Sequence, residues 1–154
     1  MSQIDFIDTG ILCNIVPVPK LDQHQESVRA TMAAKMDRGV EFILPITTVI
    51  ETGNHIAQVA DGSARRTAAK NLDRLLRMVV DSQAPWTLHE IHWDRSFLER
   101  FLAGGRSKSS YIDHAQAKVG AGDLCILTER DIYTTRTLKH TGIWTLDEAL
   151  AAHG

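Results

Sequence analysis

Short apolar runs separated by helix-length segments are the feature that most constrains the fold of this chain. The runs at 4–7, 39–44 and 143–146 are rich in β-branched and aromatic residues, as strands are, and the first is followed by a turn signal at 8–10. Between the first two runs, residues 23–37 are rich in Ala, Met, Gln and Lys, which favour a helix. A strand, a helix and a strand at this spacing predict a βαβ unit and hence a parallel sheet.

Most of the remaining sequence predicts helices around such a sheet. Residues 64–80 give the clearest pattern, because apolar residues such as Ala68 and Leu72 recur at helical spacing on one face. Residues 103–110 are rich in Gly and Ser and predict a flexible, basic loop. Further helices are predicted at 46–60, with Thr47 or Thr48 as a possible cap, and at 93–102, 111–118, 123–137 and 148–152. The pattern predicts one α/β domain over residues 1–154.

Composition excludes several classes of protein. The 154 residues carry 17 Lys and Arg against 19 Asp and Glu, a formal charge of −2. This balance argues against a generally basic nucleic-acid coat protein and against a disordered acidic tail, so nucleic-acid binding would require a local patch. No apolar stretch approaches the roughly 20 residues of a membrane span, and the first residues lack a basic secretory signal. Because Cys13 and Cys125 form no paired motif, we expect a cytoplasmic protein with reduced thiols.

Four acidic residues follow the predicted strands or lie on the helices after them: Asp8, Glu51, Asp123 and Asp147. Ligands of a parallel α/β sheet bind beyond the carboxyl ends of its strands, so these side chains are expected to converge on one edge. Each one alone is also explained as part of a turn, a helix cap or a solvated helix face. Together they would repel one another unless a cation neutralised them. We therefore expect Mg²⁺ or Mn²⁺, and two such ions about 4 Å apart can clamp a phosphodiester.

Four segments, in order along the chain, resemble the motifs of the PIN-domain ribonucleases. They are 6–12, 44–51, 120–127 and 143–147, with the sequences FIDTGIL, LPITTVIE, GAGDLCIL and IWTLD. The resemblance implies a three-layer α/β/α sandwich with a central parallel sheet, and hydrolysis of single-stranded RNA. It also assigns the catalytic, metal-binding role to Asp8, Glu51, Asp123 and Asp147. Thr9 and Thr145 lie beside motif acids, where they would orient a carboxylate or a bound water.

The resemblance also implies partners. Many bacterial members of the family are toxins that a small antitoxin neutralises, and members commonly form homodimers. We therefore expect this chain to bind RNA, an antitoxin and a second copy of itself. The alternative, in a different class, is a regulatory or assembly subunit that binds RNA or protein without cutting. The presence of all four acids favours the enzyme.

One histidine and two sets of cations are candidates for contacts with the substrate. His55 follows Glu51 by four residues, so the two share a helix face, and an ordinary helix histidine is the alternative. The cations are Arg66, Lys70, Arg74 and Arg77, opposite the apolar face of 64–80, and Arg106 and Lys108 in the basic loop. Such cations bind a phosphate backbone or simply face solvent.

Overall fold

The computed structural model describes residues 3–153, which contain four strands and eight α-helices. The strands are β1 (Ile4–Ile7), β2 (Glu41–Ile43), β3 (Trp86–Thr87) and β4 (Thr141–Trp144). The helices are α1 (Thr9–Ile15), α2 (Gln25–Asp37), α3 (Ile46–Ala57), α4 (Gly62–Val80), α5 (Arg95–Ala103), α6 (Tyr111–Gln116), α7 (Ala121–Thr137) and α8 (Glu148–Ala151), with a 3₁₀ turn at Gly105–Ser107. Within residues 3–153, no helix combines the length and the apolar character needed to cross a lipid bilayer.

The strands form one parallel sheet in the order β3-β2-β1-β4, which confirms the predicted sheet. The central strand β1 pairs with both neighbours, and Phe6 lies opposite Ile43 of β2 and Ile143 of β4. Because all four strands run the same way, their carboxyl ends meet at one edge of the sheet. The segments that follow β1 and β4 therefore leave the sheet side by side.

Alternate side chains of the strands point to opposite faces, and helices cover both faces. On one face, Ile7 and Phe42 belong to the main hydrophobic cluster, which includes Leu12 of α1 and Leu72 of α4. On the other face, Phe6 and Ile43 pack with Ile126 of α7. Burying each such side chain contributes about 1.5–3 kcal/mol. Helices on both faces of a central parallel sheet are compatible with a three-layer α/β/α fold.

The predicted helices correspond to α2–α8, with ends displaced by up to three residues. The prediction of a turn at 8–10 is wrong, because Asp8 instead caps α1: its Oδ1 accepts a hydrogen bond of 2.7 Å from the Thr9 amide. An aspartate in this position satisfies a free amide of the first helical turn, so a turn signal and a cap signal look alike in sequence.

The edge strands also differ from the prediction. The last strand lies two residues earlier than 143–146, because Thr145 leaves the ladder and its hydroxyl donates instead to Asp8. The strand β3 was not predicted, because its two residues are too few to form a pattern of alternating hydrophobicity. Neither difference alters the edge at which the strands end.

Thr48 anchors α3 to the central strand instead of capping the helix. The N-cap of α3 is Pro45, whereas the fully buried Thr48 hydroxyl donates a hydrogen bond of 2.7 Å to the Ile7 carbonyl. This bond fixes the helix that carries Glu51 directly to the strand that carries Asp8.

We predict that Thr48→Val lowers the free energy of unfolding by about 1–3 kcal/mol, because the buried Ile7 carbonyl loses its donor while the side-chain shape is kept. Urea denaturation followed by circular dichroism measures the change. Thr31→Val, at an exposed position of α2, is the matched control. Equal stability of the two variants would contradict the anchoring role.

Candidate functional site

A cleft of about 430 Å³ lies at the carboxyl edge of the sheet and contains the four predicted acids. Asp8 follows β1, Glu51 lies in the second turn of α3, Asp123 in the first turn of α7, and Asp147 precedes α8. Four separate elements thus bring their carboxylates to one place. The cleft takes its acids from across the sequence because the parallel strands all end at this edge.

Asp8 is the most enclosed of the four, with 5% of its surface exposed. Its Oδ1 accepts from the Thr9 amide at 2.7 Å and its Oδ2 from the Thr145 hydroxyl at 2.5 Å. Burial raises the pKa of this carboxyl; the two hydrogen bonds oppose that shift, and the charges of Glu51 and Asp147 add to it. Asp8 is therefore both a helix cap and a member of the acidic group.

The Glu51 carboxylate is positioned by the Thr9 hydroxyl and lies against Gly122 of α7. Its Oε1 accepts a hydrogen bond of 2.7 Å from Thr9, the residue directly after Asp8. Its Oε2 lies only 2.3 Å from where a Cβ on Gly122 would be, so any side chain at 122 would force the Glu51 carboxylate to move from this position. The glycine of the predicted motif at 120–127 therefore has a steric reason: it leaves room for the Glu51 carboxylate.

Asp123 shows the electrostatic consequence of the convergence. Burial raises its pKa to about 7, with further contributions from Asp8, Asp147 and Glu51, in that order. The N-cap of α7 is Gly120, so the cap explanation of Asp123 does not hold. Its carboxylate accepts no hydrogen bond from any residue between 3 and 153, and its charge is opposed chiefly by desolvation and by its neighbours.

Asp147 is exposed and does have a capping role. Its Oδ1 accepts from the amides of Ala149 and Leu150, at 2.8 and 3.2 Å. Its own amide donates to the Thr145 hydroxyl at 2.9 Å, which links it to the partner of Asp8. The second carboxylate oxygen accepts no hydrogen bond within the described chain, so it is free to bind a ligand of the cleft.

The oxygen ligands of the cleft suit a hard cation, although they are not arranged as a complete coordination shell. Carboxylate oxygens are the ligands that Mg²⁺ and Mn²⁺ prefer, and four of them crowd this cleft. In the part of the chain that the structure describes, no three His, Cys, Asp or Glu side chains are already grouped tightly enough to hold an ion. Burial and the neighbouring carboxylates raise the pKa of Asp123, and a cation in the cleft would favour its charged form.

Several residues that the sequence did not single out also line the cleft. Asn14 is buried, donates to the Gly10 carbonyl at 2.8 Å and accepts from the His24 amide at 2.8 Å. It thereby joins α1 to the segment before α2, and His24 lies at the rim. The spacing from Gly10 to Asn14 fits one helical turn, but the contact with His24 has no local sequence signal. His55, by contrast, lies in the lining as predicted and is exposed.

The predicted cations lie outside the cleft. On α4, Arg77 forms an ion pair of 2.8 Å with Asp73, while Arg66, Lys70 and Arg74 form none with residues 3–153. These four line a shallow groove of their own. Arg106 and Lys108 are exposed, and the Arg106 amide donates to Asp131, eight residues beyond Asp123 on α7 and so about 12 Å along its axis.

Comparisons of the chain with protein-family models, with curated proteins and with solved structures gave no match. The chemistry of the cleft is therefore inferred from its own side chains. These are four carboxylates, the hydroxyls that orient two of them, and the exposed imidazoles of His24 and His55.

We predict that Asp123→Asn raises the melting temperature at pH 8 by about 2–4 °C, which corresponds to about 1 kcal/mol in a chain of this size. The pKa of Asp123 lies near 7 in the folded chain and near 3.8 in the unfolded chain. Between these values the folded chain keeps a proton that the unfolded chain releases, so stability falls as the pH rises through this window.

The gain should therefore shrink when the same melting curves are recorded at pH 5. Asp113→Asn, at an exposed position of α6 outside the cleft, removes the same charge and serves as the control. A gain that is equal at both pH values, or equal in the control, would contradict the electrostatic explanation.

Proposed function

We propose that this chain is a PIN-like, divalent-metal-dependent endoribonuclease that hydrolyses phosphodiester bonds of single-stranded RNA. The observation that carries the proposal is the cleft itself: four carboxylates from four separate elements meet there. Burial and the charges of the neighbouring carboxylates raise the pKa of Asp8 and of Asp123. A protein gains nothing in stability from such crowding. The arrangement is explained if the cleft binds a cation together with a phosphate.

The residues that would hold Mg²⁺ or Mn²⁺ are Asp8, Glu51, Asp123 and Asp147. When bound, such an ion supplies charge stabilisation to the phosphodiester and activates a water molecule for attack. Asp123 and Asp147 offer oxygens that accept no hydrogen bond from residues 3–153. The Asp123 carboxylate can therefore move toward an ion without breaking a described bond. Asp147 can offer its second oxygen while its first continues to cap α8, and both oxygens of Asp8 already accept hydrogen bonds.

The two threonines of the cleft act as positioning residues. Thr145 fixes the Asp8 carboxylate, and Thr9 fixes that of Glu51, each through a hydroxyl hydrogen bond. A carboxylate that is already oriented loses less conformational entropy when it binds a ligand. His55 lies on α3 one turn beyond Glu51, where it can donate to a substrate phosphate or move a proton.

The substrate would extend beyond the cleft, because no Lys or Arg among the described residues lines it. An RNA strand that contacts the cations of α4, Arg66, Lys70 and Arg74, must cross the surface from the cleft to that helix. A strand that contacts Arg106 and Lys108 must instead run along α7. As in the family that the motifs resemble, we propose a cytoplasmic toxin as the biological role, with a small antitoxin and a second copy of the chain as partners.

The proposal predicts that Asp8→Asn, Glu51→Gln, Asp123→Asn and Asp147→Asn each lower cleavage of single-stranded RNA at least about tenfold in the presence of Mn²⁺. A lost carboxylate charge weakens the binding of the ion, while Asn at 147 still caps α8. Gel analysis of a labelled RNA measures the rate, and Asp113→Asn should cleave as the wild type does.

Two outcomes would contradict the enzyme. Wild-type rates in two or more of the four variants would exclude a shared site. RNA binding without cleavage by the wild-type chain, with Mg²⁺ or Mn²⁺ present, would indicate the alternative, a subunit that binds RNA and does not cut.

A metal effect on stability is expected without any substrate. Millimolar Mn²⁺ should raise the melting temperature at pH 8, because a ligand that binds the folded chain alone stabilises it. Asp8→Asn should reduce this gain, since it removes one carboxylate charge. Differential scanning fluorimetry measures both, with NaCl at matched ionic strength as the control, and a melting curve indifferent to Mn²⁺ would argue against the site.

A further inference from the structure

We propose that a second pocket, at the opposite end of α7 from the carboxylate cleft, binds a small phosphate-bearing ligand of the pyrophosphate or nucleotide class. The pocket measures about 600 Å³, within the range of small-molecule sites. Its basic lining residues are Arg106, Arg130, Lys139, His140 and His153, and no carboxylate of residues 3–153 lines it. The pocket is thus lined by basic side chains, whereas the cleft is lined by acidic ones.

Arg130 gives the pocket a fixed, directed donor. Its side chain is only 10% exposed, its Nε donates to Asp131 at 2.9 Å, and its Nη2 donates to the His153 carbonyl at 2.9 Å. The remaining nitrogen, Nη1, donates to no other residue of the described chain, and it is not among the fully enclosed polar atoms. A guanidinium held on one side with a free edge on the other is the geometry that binds phosphate oxygens.

The charge balance of the pocket remains positive. The nearest carboxylate, Asp131, uses both of its oxygens, since Oδ1 accepts from Arg130 and Oδ2 accepts from the Arg106 amide at 2.8 Å. It therefore compensates one guanidinium, while the side chains of Arg106 and Lys139 stay without an ion pair among residues 3–153. Two uncompensated cations in one concavity attract an anion, even though the whole chain carries a charge of −2.

Two hydroxyl groups connect the helix and the strand that border the pocket. Thr134 of α7 and Thr141 of β4 line the pocket and share a hydrogen bond of 2.5 Å. Thr134 also donates to the Arg130 carbonyl at 2.8 Å, which ties the hydroxyl pair to the turn that carries the guanidinium. Because Thr134 donates to that carbonyl, Thr141 is the donor of the bond between the two hydroxyls, and both protons are used within the protein. The donors open to a phosphate group are therefore those of the cations.

The geometry favours a compact anion over an RNA strand. The cations surround one concavity, whereas a strand needs cations that follow a line. Thr134 lies eleven residues beyond Asp123, so the two sites are about 17 Å apart along α7. The pocket adjoins the start of β4, while Asp8 and Asp147 follow the ends of β1 and β4. It is therefore separate from the carboxylate cleft, and it shares only Arg106 with the RNA contacts proposed above.

The test uses pyrophosphate as the probe, with isothermal titration calorimetry for affinity and amide chemical shifts for location. Saturable binding that moves the amide signals of Thr134 and Thr141 is expected. The double variant Arg106→Gln/Lys139→Gln should weaken this binding about tenfold or more. Both side chains are exposed and take part in no described hydrogen bond or ion pair, so the fold is kept.

Arg66→Gln/Lys70→Gln on α4 removes the same charge from another surface and should leave the binding unchanged. An equal loss of affinity in this control would mean that pyrophosphate is attracted to surface cations in general, and it would overturn the proposal. The absence of saturable binding to the wild-type chain at millimolar pyrophosphate would overturn it as well. AMP and a short single-stranded RNA form two further arms. Binding of AMP through the same amides supports the proposal, whereas binding of the RNA alone would assign the pocket to RNA and overturn it.

Discussion

The hydrogen bonds of the Asp8 carboxylate connect the central strand to the elements that build the cleft. One oxygen caps α1 and the other accepts from Thr145 beyond β4, while the adjacent Thr9 reaches Glu51 on α3. Burial of an ionisable group at this point raises its pKa, and the hydrogen bonds offset only part of that cost. The parallel register makes the arrangement possible, because Ile7 lies opposite Trp144 and the two chains leave the sheet together.

The sequence was sufficient to predict the parallel sheet, the helices α2–α8 and the edge at which the acids meet, because these depend on local patterns and on one topological rule. It was insufficient for α1, since Asp8 followed by Thr9 and Gly10 is equally typical of a turn and of a capped helix. It was also insufficient for β3, because two residues form no pattern. The last strand was misplaced because a distant carboxylate draws Thr145 out of the ladder.

Within the cleft, the four acids were predictable, whereas their contacts and lining residues such as Asn14 were not. The hydrogen bond from Thr145 to Asp8 spans 137 positions, and that from Thr9 to Glu51 spans 42, so no local spacing indicates either. The close approach of Gly122 to the Glu51 carboxylate is likewise visible only in the folded chain. The ion pair of Arg77 with Asp73, by contrast, has the ordinary four-residue spacing and was available from the sequence of α4.

The helix α7 separates negative from positive side chains, although the net charge of the chain is only −2. Its 17 residues extend over about 26 Å, with carboxylates around the first turn and cations around the last. Backbone dipoles place partial positive charge at the acidic end and partial negative charge at the basic end, so each end of the helix stabilises the side chains gathered there. Charges of opposite sign held this far apart form a permanent molecular dipole. The electric field of a polyanion exerts a torque on this dipole. The torque rotates the molecule so that its basic end faces the polyanion.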